Sequence, residues 1–445
     1  MEKQWKDMTR EERQEARFER WLAGPGLEFK SPAAKAEYQG KVTRIKDAVQ
    51  LRKNPDRVPI VPFATFMQTV MTGANPAETM YDIDKMTAAF KKYLAEFNPD
   101  AFSSIFIVPS GKALEALGYV MYKWPGFNLP DQHVYQCLEK EYMTKEDYKT
   151  LIDDPSDFWL RTYLPRSFKA LEPLAMLPTL IGAMELPPIA PFLFTLGLPP
   201  VQEMLSALLE AGRLSFEWGG KILAMDKEAQ ESGHLAFSGG FSKAPYDFLG
   251  DTLRGSRGMF MDLYRNPDQV LKAVERLTPL AVKLGLGGAE ASGNPIVFMP
   301  LHKGADGFMS DEQFKKFYWP SLKAVVMGLI EEGCVPFLFA EGGFNSRLEY
   351  LNELPAGHTI WLFDRTDMAE AKRIAGKTIC LAGNIPISKI MTGTPDQVKA
   401  ACKELIDTVG VGGGYIMAMG CAADEGVYEN VQAMIEFTKE YGVYK

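Results

Sequence analysis

The 445-residue sequence has 46 % hydrophobic and 24 % charged residues, which is enough apolar material for one large soluble domain or for two or three smaller ones. Its formal net charge of −8 argues against a nucleic-acid partner, because binding to phosphates requires a basic surface. The five cysteines show no CxxC spacing, so a reduced, cytoplasmic protein is predicted rather than a disulfide scaffold.

The first 50 residues have the pattern of charged amphipathic helices and are predicted to form an N-terminal helical extension. Residues 1–20 are dense in charged side chains and lack the apolar core of an export signal. Residues 171–200 are apolar but contain Glu172, Glu185 and seven prolines. Because a membrane-spanning helix needs about 20 apolar residues with an intact backbone ladder, no membrane association is expected.

From residue 51 onward, short apolar runs alternate with helical stretches, a pattern typical of a parallel sheet. Eight runs are continuous rather than alternating, as expected of strands with both faces buried: 58–64, 101–108, 235–239, 296–300, 335–339, 359–363, 378–382 and 415–419. Helices are predicted at 76–97, 266–284, 311–332, 367–374, 395–409 and 430–441. Eight strands that mostly lead into helices predict a single (β/α)8 TIM barrel over residues 51–445.

The regular spacing stops between Val108 and Leu235, which predicts a long helical insertion after the second strand, at about 109–234. Such insertions lie at the C-terminal face of a barrel and often cover its active site. Trp124, Phe192 and Phe194 could form an apolar lid there. Ordinary packing of an additional helical layer is the alternative, since most apolar residues belong to a core.

Polar residues directly after the barrel strands are the candidates for chemistry, because the loops at strand C-termini build the site of this fold. His302 follows the fourth strand, Glu341 the fifth, Asp364 the sixth and Asn384 the seventh, and Cys421 follows the eighth. Glu341, Cys421 and His302 together could bind Zn²⁺. An inert buried Cys421 and a solvated Glu341 are the alternative.

Apolar side chains near the same strand ends are predicted to contact the substrate. They are Phe66, Met67, Trp124 and Trp361. No P-loop or GxGxxG motif is present, because Gly412-Gly413-Gly414 precedes a strand rather than following one.

Several motifs resemble the uroporphyrinogen decarboxylase superfamily, which includes the zinc-dependent methyltransferases that act with corrinoid proteins. The resemblance extends from Arg57 to the end of the chain. It includes Arg57-Val58-Pro59-Ile60-Val61-Pro62, Ala382-Gly383-Asn384-Ile385-Pro386 and Gly393-Thr394-Pro395. It implies a (β/α)8 barrel with its site at the C-terminal mouth.

Two departures from the family pattern distinguish its branches. The decarboxylases carry arginines after the first strand and an aspartate at the end of the second, whereas residues 63–69 and 103–108 contain neither. A substrate with many carboxylates would meet an apolar wall. The methyltransferases hold zinc with His-x-Cys after strand five and Gly-Cys after strand eight. This chain has Phe339-Ala340-Glu341 at the first position and Gly420-Cys421 at the second.

The resemblance therefore implies a corrinoid-dependent methyltransferase. It would move a methyl group from a small, methoxylated aromatic donor to the cobalt of a corrinoid on a separate protein. Glu341, Cys421 and His302 would assist the departing group, and Asp364 and Asn384 would orient them. Two alternatives remain open: a decarboxylase of a smaller acid, and a non-catalytic relative that binds a corrinoid or a tetrapyrrole.

Overall fold

The computed structural model describes residues 3–445, apart from the side chain of Phe106. The strands in this part of the chain are β1 (Tyr122–Lys123), β2 (Gln136–Cys137), β3 (Gly240–Phe241), β4 (Ile296–Leu301), β5 (Val335–Ala340), β6 (Ile360–Phe363), β7 (Cys380–Ala382) and β8 (Tyr415–Ile416). The α-helices are α1 (Arg10–Ala23), α2 (Pro32–Gln50), α3 (Met67–Val70), α4 (Pro76–Tyr81), α5 (Ile83–Phe97), α6 (Gly111–Leu117), α7 (Tyr148–Asp153), α8 (Pro155–Phe158), α9 (Leu164–Ser167), α10 (Ala190–Leu196), α11 (Pro199–Glu231), α12 (Pro245–Asp247), α13 (Gly255–Arg265), α14 (Pro267–Ser292), α15 (Asp311–Gln313), α16 (Trp319–Glu331), α17 (Met368–Ala375), α18 (Ile387–Thr392), α19 (Pro395–Leu405) and α20 (Tyr428–Tyr441).

The N-terminal helices α1 and α2 cover the end of the barrel at which the strands begin. Helix α1 starts with a capping box, in which Thr9 and Glu12 satisfy each other's backbone N–H groups. Gln14 on α1 donates from Nε2 to the carbonyl oxygen of Gly357, just before β6, at 3.1 Å. The opposite end of the barrel, where the strands finish, is therefore free of this extension.

The strands β3 to β8 form one parallel sheet in chain order. Two further segments close it into a ring. Ile60 forms a parallel bridge with Met417 beside β8, and Phe102 forms one with Ala236 beside β3. The two segments meet where the N–H of Asp100 donates to the carbonyl of Ile60 at 3.0 Å. The eight segments confirm the predicted (β/α)8 barrel.

The second barrel segment is shorter than the predicted strand at 101–108. Residues Ile105–Ile107 form a 3₁₀ turn rather than extended backbone. The hydroxyl of Ser104 donates to the carboxylate of Asp226 on α11, which draws the chain away from its strand neighbours. A contact with a helix more than a hundred residues away therefore ends the strand early.

Side chains of β6 alternate between the two sides of the barrel wall. Ile360 and Leu362 belong to the cluster that fills the barrel, together with Phe337. Trp361 and Phe363 belong to the cluster between the barrel and its helices. Burial of each such side chain contributes about 1.5–3 kcal/mol, so both layers stabilise the wall.

The predicted insertion after the second barrel segment contains the β1–β2 hairpin and the helices α6 to α11. Within residues 3–445, no single helix is long and apolar enough to cross a membrane. Helices α10 and α11 together have the length and composition of a membrane span, but the chain bends by 66° at the break between them. The division of the chain into a separate extension and a single barrel domain at residue 50 stays a prediction.

Candidate active site at the mouth of the barrel

A cavity of about 780 Å³ lies at the C-terminal ends of the barrel strands. Four predicted site residues line it together: His302, Glu341, Asp364 and Cys421. They converge because parallel strands of a closed barrel all finish at the same end. The insertion supplies aromatic walls, namely Tyr119, Tyr122 and Tyr163.

His302 follows the last residue of β4 and is held by its backbone and its ring. Its N–H donates to Oδ2 of Asp247 at 3.1 Å, and the same oxygen accepts from the hydroxyl of Tyr318 at 2.7 Å. In the ring, Nδ1 lies 2.6 Å from Oδ2 of Asp251, and Nε2 lies 3.6 Å from Oε1 of Glu341. The imidazole therefore links two carboxylates, those of Asp251 and Glu341, that both line the cavity.

Asp251 is also paired with two lysines. Its Oδ2 lies 2.8 Å from Nζ of Lys243, and its Oδ1 lies 3.4 Å from Nζ of Lys303. The rule that site residues directly follow the strands did not predict Asp247, Asp251 and Lys243, and the two acids lie in the helical segment after β3. Their spacing of four residues places them on one face of a helix, which was the available signal.

The electrostatics of this cluster favour a protonated imidazole. Burial alone would lower the pKa of His302, but the hydrogen bond and the charge of Asp251 outweigh it and raise that pKa above its ordinary value. Burial opposes ionisation of Asp251, yet the contacts with His302 and Lys243 hold its pKa far below the usual range. Burial raises the pKa of Glu341. Burial and the charge of Asp251 raise the pKa of Asp247 to about 6.

Asp364 and Asn384 shape the loops beside the cavity. Oδ2 of Asp364 accepts a hydrogen bond from the N–H of Gly342 at 3.0 Å. Nδ2 of Asn384 donates to the backbone carbonyls of Asp364 and Thr366, at 2.9 and 3.0 Å. Asn384 is therefore outside the cavity lining and contacts the backbone of the loop that carries Asp364.

The structure does not support the predicted zinc site. Burial, followed by the charges of Asp364, Asp424 and Glu341, raises the pKa of Cys421 to about 12, so without a metal the group is a thiol. Among residues 3–445, no three His, Cys, Asp or Glu side chains are arranged to hold a metal ion. The residues present do not fit zinc.

The predicted substrate-binding residues do not surround this cavity. Phe66, Met67 and Trp361 are fully buried in core clusters, and Trp361 points outward because β6 alternates. Trp124 is buried too, and it lines a separate, largely apolar cavity of about 240 Å³. The proposed lid residue Phe194 is exposed on α10, away from the cavity.

The fold and the site define a (β/α)8-barrel protein with a cationic and acidic cluster at its C-terminal mouth. The family model described as "Uroporphyrinogen decarboxylase (URO-D)" matches residues 225–441. This match to the C-terminal part of the chain agrees with the resemblance that the sequence motifs carry.

Curated relatives and a solved structure support this resemblance. "Uroporphyrinogen decarboxylase" from two strains of Coxiella burnetii, Dugway 5J108-111 and RSA 493 / Nine Mile phase I, is 23% identical over 257 residues. That match covers 56% of this chain and 66% of the relative, so the chain spans just under two thirds of the relatives' length. A "methyltransferase from Methanosarcina mazei" superposes with a TM-score of 0.57 at 16% identity, over 90% of this chain and 98% of its own. At this identity the similarity is one of fold.

Proposed function

We propose that this protein transfers a methyl group from a small, methoxylated aromatic donor to the cobalt of a corrinoid carried by a separate protein. The observation that carries the proposal is the Asp251–His302–Glu341 cluster in an open cavity at the barrel mouth. The similarity of fold to a methyltransferase supports the same reaction class. We expect the two proteins to meet in the cytoplasm.

The proposed chemistry requires a proton at the leaving oxygen. The methyl–oxygen bond breaks as the methyl group is transferred to the reduced cobalt, and the bonding electron pair stays on the phenolate oxygen. The imidazolium of His302 donates its proton to that oxygen, and solvent then reprotonates the ring. Asp251 raises the pKa of the imidazole and so favours the cationic form that general acid catalysis requires.

The shape of the cavity suits an aromatic donor. Its volume of about 780 Å³ lies within the range of small-molecule sites, about 300–1,000 Å³. Tyr119, Tyr122 and Phe308 supply ring surfaces for stacking. The mouth is also the face through which the corrinoid of a partner protein would reach the donor.

Decarboxylation of a small acid is the second candidate. Lys243 and Lys303 line the cavity and supply cations that a substrate carboxylate would pair with. The names of the curated relatives favour the same reaction. Release of carbon dioxide without any corrinoid protein would identify this activity.

The first test is methylation of a reduced corrinoid protein by a panel of methoxylated aromatics, followed by cobalt absorbance. We expect His302→Gln to lower kcat by about 10²–10⁴-fold, the usual contribution of a general acid. Glu341→Gln should lower it less, because Asp251 still holds the imidazole. His133→Gln, at an exposed position in the insertion, is the matched control and should leave kcat unchanged. Absence of cobalt methylation with every donor, or a fully active His302→Gln enzyme, contradicts the proposal.

A further inference from the structure

A second cavity of about 240 Å³, which we call the annex, lies beside the mouth cavity. Helix α4 contributes Met80 to its lining, and α6 contributes Leu114. The other lining side chains are those of Ile107, Pro109, Tyr119, Tyr122, Trp124 and Tyr135. None of these side chains carries a charge, so the annex suits an apolar group rather than an ion.

Tyr119 and Tyr122 line both the annex and the mouth cavity. Their rings are stacked, with centroids 6.0 Å apart and planes inclined by 17°. The ring of Tyr119 also stacks on that of Phe168, with centroids 4.8 Å apart. The partition between the two cavities is therefore built from aromatic side chains.

One face of the β1–β2 hairpin continues from the mouth cavity into the annex. Tyr122 on β1 lies directly opposite Cys137 on β2. Opposite residues share a face of a sheet, and so do alternate residues along a strand. Tyr122 and Cys137 line the mouth cavity, whereas Trp124 and Tyr135, two residues nearer the turn, line the annex. A ligand that lies along this face would reach from one cavity into the other.

The aromatic walls of the annex are fixed by contacts outside it. Nε1 of Trp124 donates to the hydroxyl of Tyr81 at 3.0 Å, so the indole N–H is already paired. The ring of Tyr135 lies between those of Phe66 and Tyr122, at centroid distances of 5.3 and 5.7 Å. These rings offer an incoming apolar group a preformed surface for stacking.

The volume of the annex sets the size of its occupant. An apolar cavity of about 150 Å³ is large enough to bind benzene, so the annex has room for one ring or for a short alkyl chain. The mouth cavity extends from His302 to Tyr119 and Tyr122. A donor with its methoxy group near His302 would therefore direct its far end toward the annex.

We propose that the annex binds an apolar substituent of the donor while the methoxylated ring occupies the mouth cavity. This inference rests on the proposed function for the identity of the donor. The preferred donors are then methoxylated rings that carry an uncharged alkyl or aryl arm. The arm lies against Trp124 and Tyr135, and the tyrosine partition contacts the bond that joins it to the ring.

The test compares two probes, anisole and 4-propylanisole, by calorimetric titration of the purified protein without any corrinoid protein. We expect 4-propylanisole to bind about 10–60-fold more tightly, because each buried methylene group strengthens binding by about fourfold. Binding measured in this way does not depend on methyl transfer.

Leu114→Trp fills the annex from α6 and should reduce this preference to about threefold or less. Leu114→Phe fills less of the space and should reduce the preference partway. Leu193→Trp on α10 is the matched control, since Leu193 is 55% exposed and lines neither cavity. It should keep the wild-type preference, and circular dichroism establishes that every variant is folded.

A wild-type preference below threefold overturns the proposal, as does a preference that persists in folded Leu114→Trp and Leu114→Phe. Cobalt methylation is measured separately with the same two compounds. A preference that the Leu114 substitutions remove supports the annex even if no cobalt is methylated, in which case the proposed reaction alone fails. Cobalt methylation with equal affinity for the two compounds would keep the reaction and refute the annex.

Discussion

The carboxylate of Asp251 pairs with three basic side chains, those of His302, Lys243 and Lys303. Histidine is the residue type among these whose ordinary pKa lies closest to neutral pH, and Asp251 raises the pKa of His302 and so favours its protonated form. A folded-state pKa raised above the unfolded value means that the pairing stabilises the fold fully below about pH 6.5. That stability is lost as the pH rises through the folded-state pKa of His302.

Replacement of Asp251 by asparagine should lower the pKa of His302 to below its ordinary value of 6.5, because burial then outweighs the remaining charges. Titration of the histidine ring protons by NMR measures this shift. His234, whose pKa burial lowers to about 4, serves as an internal reference that the substitution leaves in place. An unchanged titration of His302 in Asp251→Asn would show that another group holds its proton.

Trp361 is expected to act through packing rather than through substrate contact, since it faces the helices and is fully buried. Trp361→Ala should lower the free energy of unfolding by about 3–5 kcal/mol and leave the KM for the donor unchanged. Tyr122→Ala, which shortens a side chain in the cavity wall, should raise that KM. Denaturant unfolding and steady-state kinetics separate the two effects, and an altered KM in Trp361→Ala would refute this assignment.

At the scale of elements, isolated bridges and hydrogen bonds, rather than a continuous ladder, join the first two barrel segments to their neighbours. Asp100 strengthens this junction from a fully buried position. It accepts hydrogen bonds from Arg57 at 2.7 and 2.8 Å, from Arg44 at 2.6 Å and from the N–H of Ile60 at 2.8 Å. One carboxylate thus connects α2 and both barrel segments.

Loss of the Asp100 carboxylate should destabilise the folded protein. We expect Asp100→Ala to reduce the free energy of unfolding by about 3–5 kcal/mol, because the largely buried Arg57 and Arg44 both lose a fully buried carboxylate partner. Asp56→Ala removes the exposed partner of the same Arg44 and should cost less than about 1 kcal/mol. Chemical denaturation compares the two variants, and equal effects would contradict the role of burial.

The central strands were predicted from the sequence to within one residue of their observed ends. The runs 296–300, 335–339 and 359–363 correspond to β4, β5 and β6, since burial of both strand faces produces a continuous apolar run. The run 101–108 was predicted poorly, because the contact between Ser104 and Asp226 that ends it is not encoded locally. Periodicity likewise gave no signal for the short β1–β2 hairpin.

For the molecule as a whole, the barrel topology accounts for what could be foreseen of the site. His302, Glu341, Asp364 and Cys421 were predicted to meet because each follows a strand, and the cavity brings them together. The aromatic walls come from the insertion, whose position depends on packing between distant segments. Their identity therefore could not be derived from the local sequence pattern.

Helix α1 packs over the end of the barrel at which the strands begin, and this contact constrains how the protein folds during its synthesis. Gln14 leaves the ribosome 343 residues before its hydrogen-bond partner Gly357. At a synthesis rate of about 5–20 residues per second, the residues that α1 packs against are made roughly 20–70 s after α1 itself. Its apolar face, with Phe18 and Trp21, is exposed throughout that interval and is a surface on which chaperones would act.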